Sequence, residues 1–318
     1  MNLTNKTAMA NTQQNGKIHT AFKKMRRHWP LYVILAFPLS VLIIFKYVPL
    51  LGLQIAFRNY TTRGGIWNSS WVGLDHFIRF FQSPSTGQVI MNTILISLYS
   101  IAASFPFAIF LAIALNEVAS RKVKRIVQMT TYAPYFISTV VLVSMLNQLL
   151  DPRIGVFNLA LQHLGINIGH IIGDPNSFIH LYVWSGVWQS TGYNAILYMA
   201  ALTSVNPELI EAAIMDGCNK FQRIRYVDFP NLIPTIVTLL ILNMGYVMSI
   251  GFEKIFLMQV PSILSVSEVV STYIYRIGIV NNDFSYSTAI GLVNSLINLV
   301  LIVVFNITAK ATTKTSLF

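Results

Sequence analysis

The stretch that decides the reading is residues 211–234, "EAAIMDGCNKFQRIRYVDFPNLIP". It is charged, helix-prone and interrupted by Gly217, yet it lies between two long apolar runs. Just upstream, Asn206 suits an N-cap, Pro207 the first helical position and Glu208 the positive end of the helix dipole. The pattern predicts a helix through "ELIEAAIMD" to Gly217, where a glycine lets the chain turn at positive φ. A second helix is expected over "NKFQRIRYVDF". Asn219 caps it, Phe221, Ile224 and Val227 share one stripe, and Pro230 ends it. A plain connector needs only about two to eight residues, whereas this loop (204–230) holds two capped helices. The plainer reading is an interfacial decoration; the sharper one is a rigid helix–Gly–helix knob that fits a groove on another protein.

The flanking runs set the fold class. Of 318 residues, 54% are apolar and only 10% charged, against about 25% charged in an ordinary soluble domain. A bilayer crossing needs about 20 apolar residues. Six stretches qualify: 31–57, 88–116, 126–150, 178–203, 231–257 and 286–309. Backbone groups inside lipid must be satisfied internally, so the expectation is an all-α membrane protein with a six-transmembrane-helix bundle. The first apolar run continues into "YVPLLGLQIAF" without a small-residue cleavage site and reads as a retained span. The domain reading is an N-terminal tail over 1–29, the six-span unit over 30–310 with the loop 204–230 between helices 4 and 5, and a C-terminal tail over 311–318.

Charge orients the bundle. Lys6, Lys17, Lys23, Lys24, Arg26 and Arg27 precede the first span; Arg121, Lys122, Lys124 and Arg125 follow the second. Lys220, Arg223 and Arg225 follow the fourth, and Lys310 and Lys314 the sixth. These cations share one side, which by the positive-inside rule is cytoplasmic. Both termini are then cytoplasmic, as an even number of spans requires. With acids counted, that side carries +10, the opposite side zero and the spans +1, which accounts for the formal net charge of +11. The excess is a topology signal facing anionic lipid and gives no support to nucleic-acid binding. On the other side, "WVGLDHFIRFF" (71–81) and "GVFNLALQHLGI" (155–166) have the spacing of short interfacial helices.

Several chemistries are excluded. Cys218 is the single cysteine, so no intrachain disulfide forms. No His or Cys cluster has metal-ligand spacing, and neither a metal nor a cofactor is expected. Gly16-Lys17 is followed by Ile18, so the chain has no phosphate-binding loop of the Gly-x4-Gly-Lys-Ser/Thr type.

The quoted stretch resembles the "EAA…G…I-x-L-P" signature of permease subunits of bacterial ATP-binding-cassette (ABC) sugar importers. Glu211, Ala212 and Ala213 match, Asp216-Gly217 follows, and Val227-Asp228-Phe229-Pro230 stands where the signature reads I-x-L-P. The departures are Val for Ile and Phe for Leu. Beyond it, "WVGLDHF" (71–77) and "NTILISL" (92–98) look like the sugar-importer branch. "GFEKIFLM" (251–258), "VVSTYIYRIGI" (269–279) and "FSYSTAIGLVNSLINL" (284–299) are similar to the LplB-type subgroup, associated with polysaccharide fragments. The resemblance implies that Glu211, Ala212, Ala213, Asp216, Gly217 and Pro230 belong to coupling helices that seat in a separate ATPase. It also implies a second homologous permease, two ATPase subunits, an extracellular substrate-binding lipoprotein, a carbohydrate substrate and a place in the bacterial cell membrane. The chain itself is then not an enzyme.

A sugar path needs amides, hydroxyls and aromatic faces inside the bundle. Polar side chains in spans point inward or join helices. The candidates are Asn147 and Gln148; Trp184, Trp188, Gln189, Tyr193, Asn194 and Tyr198; Asn243, Tyr246 and Ser249; and Asn294 with Asn298, four apart on one face. Glu253 and Lys254, at the outer end of the fifth span, have three readings: separate snorkelling to water, a contact with the partner permease, or capture of an acidic sugar by Lys254. An ion-coupled secondary transporter calls for acids deep in several spans, and Glu253 is the one acid there. A membrane-embedded enzyme calls for converging catalytic groups, which the spans lack.

Overall fold

The computed structural model describes residues 27–163, 171–313, 316 and 317. The expected tail 1–29 therefore lies almost wholly outside the described residues. The protein is mostly helical. Among the described residues, four helices are long and apolar enough to cross a membrane: α1 (Trp29–Phe57), α3 (Pro84–Glu117), α9 (Lys220–Met244) and α12 (Phe284–Thr313). A bent pair, α4 (Arg121–Phe136) and α5 (Thr139–Leu149), makes a fifth if counted as one span. The remaining long helix, α7 (Pro175–Thr203), has 29 residues but carries too many amides, hydroxyls and indoles to be selected on apolarity.

The centre is the parallel packing of α3 on α7. Ala108, Ala112 and Ala195 are almost fully buried in the half of this seam nearer Glu117, with Tyr198, Leu202 and Leu232 around them. Small residues let helix backbones approach closely, which is how helices associate when lipid is as apolar as the side chains. A second cluster, around Ile96, Phe178, Val183, Ile255 and Ile263, fills the other half. Helix α1 stands apart over Trp29–Tyr47 and packs against α12 along Val48–Phe57. It passes from α-helix through a π turn (Ile43–Tyr47) into a 3-10 stretch (Val48–Phe57). Only Ala56 within it is buried, as befits a helix apolar on all sides that faces lipid or another subunit.

Two expected spans are broken. The third bends by 97° at Ile137–Ser138, where Ser138 restarts the helix by accepting from Val141 N at 3.4 Å. The fifth ends at Met244. A 3-10 turn (Val247–Ser249) and Gly251 separate it from the short helix α10 (Phe252–Met258). Pro230 does not end the loop's second helix, contrary to the expectation from its ring. Helix runs unbroken from Lys220 to Met244 because a π turn at Ile224–Asp228 intervenes. Phe229 N donates to Ile224 O, five residues back. The wider turn makes room for a ring that would otherwise strike the carbonyl four residues earlier.

The opposite end of the bundle is covered by short elements. Helix α2 (Asp75–Gln82) buries Phe80, in keeping with its amphipathic pattern. Trp71 belongs instead to a minimal antiparallel pair, β1 (Arg58–Asn59) with β2 (Ser70–Trp71). Helix α6 (Val156–His163) forms in the second long loop, whose remaining expected stretch lies outside the described residues. Helix α11 (Val270–Tyr275) packs beneath α2 and α12 through Val270, Tyr273 and Tyr286. At the C-terminus α12 extends to Thr313, past the expected boundary at 310, and Leu317 N bonds to Asn306 Oδ1 at 2.8 Å.

Candidate coupling loop and substrate path

The loop after α7 is built from local hydrogen bonds. Asn206 accepts from Glu208 N at 3.0 Å and starts α8 (Pro207–Met215). The helix ends in a Schellman arrangement: Cys218 N reaches Ala213 O and Gly217 N reaches Ile214 O, both at 3.0 Å. Gly217 has φ of +79°, so the turn needs the residue without a side chain. Two residues later Asn219 and Gln222 form a reciprocal capping box, both bonds at 2.9 Å. The end of α8 and the start of α9 are thus both satisfied by residues close in sequence, which stiffens the loop.

Its outward face is more apolar than the sequence reading suggested. Glu211, Ala212 and Asp216 are exposed and Ala213 is buried. Around them Leu209, Ile214, Met215, Phe221 and Tyr226 all expose more than half their surface, Met215 reaching 87%. Phe221 leaves the expected stripe for solvent, while Ile224 and Val227 are half-buried. Contiguous exposed apolar groups rimmed by charge mark a protein contact. Spacing alone had pointed to the glutamate and the turn and missed these knobs.

Two of the cavities among the described residues are lined by candidate path residues. One of about 260 Å³ is lined by Ser97, Ser100, Ser104, Asn243, Tyr246 and Ser249. The serines lie at i, i+3 and i+7 on α3; this stripe was readable in the sequence but went unremarked inside an apolar run. Asn294 and Asn298 donate to Ser249 Oγ at 3.3 and 2.9 Å, and Asn298 Oδ1 accepts from Met248 N at 3.0 Å. Their shared face is spent on holding the break after α9. The other cavity, about 400 Å³, is lined by Trp184, Trp188, Phe107, Thr130, Thr131 and Thr191. Trp184 Nε1 donates to Tyr99 Oη at 3.0 Å, and that hydroxyl also sits 3.0 Å from His180 Nδ1.

The remaining candidates divide. Asn147 is exposed and Asn194 half-buried, and neither lines these two cavities. Gln189 Nε2 donates to Ile137 O at 2.8 Å and so satisfies a carbonyl orphaned by the bend. Tyr198 is 2% exposed and packs edge-on against Phe105 in the α3–α7 core, which removes it from an open path. Tyr193 stacks on Tyr135 with centroids 3.8 Å apart. Glu253 is exposed, whereas Lys254 is buried, its ammonium 2.8 Å from Tyr182 O. Lys254 therefore does not snorkel to water: it sits on a separate helix turned against α7, not at the tip of a straight span.

Residues 104–314 match the family of binding-protein-dependent transport system inner membrane components. The chain belongs to that family. It is 36% identical over 293 residues to protein LplB of Bacillus subtilis strain 168, covering 92% of each chain. It is 37% identical over 268 residues to the polygalacturonan/rhamnogalacturonan transport system permease protein YteP of the same strain, covering 84% of each. Among solved structures, it matches a chain of a bacterial ABC transporter involved in the import of the acidic polysaccharide alginate. There the TM-score is 0.86 at 34% identity, over 92% of this chain and 99% of that one. The protein is a permease of a binding-protein-dependent ABC transporter in the bacterial cell membrane, and ATP hydrolysis belongs to a separate subunit.

Proposed function

We propose that this permease carries oligosaccharide fragments of polysaccharides inward by alternating access. The observation that carries the substrate class is its 34–37% identity, over most of its length, to permeases named for polygalacturonan/rhamnogalacturonan and alginate. The chemistry of the two cavities supports it: indole faces beside hydroxyls and amides suit sugar rings, which stack on aromatics and bond through their hydroxyls. Ser97, Ser100, Ser104, Trp184, Trp188, Asn243 and Tyr246 are the best-placed contacts, with Asn147 exposed and Asn194 half-buried elsewhere on the chain. A second, homologous permease closes the open side. An extracellular binding protein delivers the substrate; a related alginate transporter has been solved with a pentasaccharide-bound periplasmic protein.

The loop 204–230 is the coupling element in this reading. Glu211, Ala212, Ala213, Asp216, Gly217 and Pro230 shape it, and Leu209, Ile214, Met215, Phe221 and Tyr226 fill a groove on one of two ATPase subunits. Closure of the ATPases on ATP moves the loop, and the helices attached to it open outward. The membrane unit over 30–310 crosses six times, with α4–α5 and α7 as the spans that apolarity alone does not settle, and both termini are cytoplasmic.

The decisive test is reconstitution. The complex purified through this chain should bring down an ATPase, and in proteoliposomes with its binding protein it should take up oligosaccharides only with ATP inside. Uptake driven by a proton or sodium gradient without ATP would favour a secondary transporter. Topology is tested separately: a reporter active only in the cytoplasm should work after Val123 or Phe318 and fail after Gly65 or Gly173. An active fusion after Gly173 overturns the six-span arrangement.

A further inference from the structure

Among the described residues, the loop's one ionic tie to the rest of the bundle has a geometry that its docking role does not require. Arg223, in the first turn after the capping box, bonds through Nη2 to Glu117 Oε1, and its Nε lies 3.5 Å from Asp228 Oδ2. Asp228 is buried, 2% exposed, and the Arg223 and Glu117 side chains are partly buried, 20% and 18% exposed. Glu117 is the last residue of α3 and 106 positions from Arg223.

Glu117 is poorly placed for helix stability by itself. An acid at a helix C-terminus faces the negative end of the dipole, so the guanidinium is what makes the position tolerable. Asp228 is likewise buried with no other cation beside it among the described ion pairs. Pulling Arg223 away would leave two carboxylates close together and one of them dry, which is strongly unfavourable. The planar fork of arginine can hold both at once, where lysine offers a single point charge. The triad is therefore built to stay closed while the parts it joins move.

What it joins is informative. On one side is the knob, through the π turn that carries Asp228. On the other is α3, which runs unbroken from Glu117 to the serines of the 260 Å³ cavity, about 20 Å from Glu117 to Ser104 by helical rise. Pro106 removes one bond from that ladder, but Ala108 and Ala112 are clamped against α7. A push on the loop thus has a stiff route to the polar cavity that leaves α9 in its first turns and bypasses the rest of that helix.

We propose that Glu117, Arg223 and Asp228 form a strut that makes α3 move with the coupling loop, with Arg223 as its positioning residue. This rests on the coupling reading of the loop given above. In the whole reconstituted complex, Arg223→Met should still assemble with the ATPase and hydrolyse ATP. Oligosaccharide taken up per ATP should fall roughly fivefold. The second variant, in a Cys218→Ser background, carries Glu117→Cys and Arg223→Cys. It should show the same loss when the thiols are free and recover when a short bifunctional methanethiosulfonate bridges them. The strut is overturned if Arg223→Met keeps the normal uptake per ATP, or if bridging abolishes uptake, since the joint must then open in the cycle. Should Arg223→Met fail to assemble, the bridged pair decides alone. Absence of ATP-driven uptake by the unmodified complex would instead overturn the transporter reading.

Discussion

The ammonium of Lys254 donates to the carbonyl oxygen of Tyr182, 72 residues earlier in the chain, and lies 4.7 Å from the centre of that tyrosine's ring. No carboxylate among the described ion pairs accompanies it. A buried cation held by a helix carbonyl and an aromatic face is a directional link between α10 and α7. Lys254→Gln should lower uptake roughly tenfold or more, about 1.4 kcal/mol in the affected step. The loss should be the same for acidic and neutral oligosaccharides, because the nitrogen is turned into the protein. Glu253→Gln, on the exposed side, should be nearly silent. Paired uptake assays check this, and a loss confined to acidic substrates would place the nitrogen on a sugar carboxylate instead.

At Gly217 an added side chain would meet nothing within 4 Å, so the obstacle to substitution is the backbone angle alone. Left-handed backbone costs an ordinary residue about 1–2 kcal/mol and Asn least. Gly217→Asn should keep most of the co-purifying ATPase, Gly217→Ala less, and Gly217→Val least, while membrane insertion is unchanged in all three. Pull-down yields across the series read the order. Equal yields would show that the turn's shape is immaterial to docking.

The crossing of α4 over α7 makes two demands of different size. A side chain at Gly192 would lie 2.1 Å from Thr131 O, a clash with backbone that cannot swing aside. Gly192→Ala should therefore destabilise by about 3 kcal/mol or more and sharply reduce the folded yield. Gln189→Leu removes only the partner of Ile137 O and should cost about 1 kcal/mol. Thermal unfolding in detergent should separate the two, and a harmless Gly192→Ala would mean the helices cross more loosely than the structure has them.

Glu268 gives a pH dependence. Burial raises its pKa above the ordinary 4.5, and the bonded Arg276 offsets this only in part. The folded protein therefore holds the proton more tightly than the unfolded chain. The penalty of keeping Glu268 charged is present above the folded pKa and disappears as pH falls below 4.5. Because Arg276 is 40% exposed, water can serve it when its partner is neutral. Glu268→Gln should raise Tm by about 1–3 °C at pH 7.5, and the advantage should vanish near pH 4. A lower Tm at pH 7.5 would show that the ion pair outweighs the burial.

Much of the loop was legible before any coordinates. Asn206 with Glu208, Asn219 with Gln222, and Gly217 with Ile214 bond over two or three positions, so donor and acceptor appear side by side in the sequence. The same holds for helical character, which follows from the length of the apolar runs and from the need to satisfy backbone within lipid. Pro230 misled because its effect depends on how the preceding turn is wound. The π turn that admits it leaves no mark in residue types.

The amino-acid sequence by itself determined that this protein is a helical membrane permease with a capped, glycine-hinged loop, and the asymmetric spread of its cations implied an orientation. Only the tertiary structure decided where the spans break, that Tyr198 is core and Lys254 buried, and that three serines of α3 meet Asn243 and Tyr246 around one cavity. It also brought Arg223 to Glu117. The reason is range. Caps and turns close between residues a few positions apart, whereas the bend at Ile137 depends on Gln189, 52 positions later. The burial of Lys254 depends on a carbonyl that became its neighbour only when α10 folded back on α7.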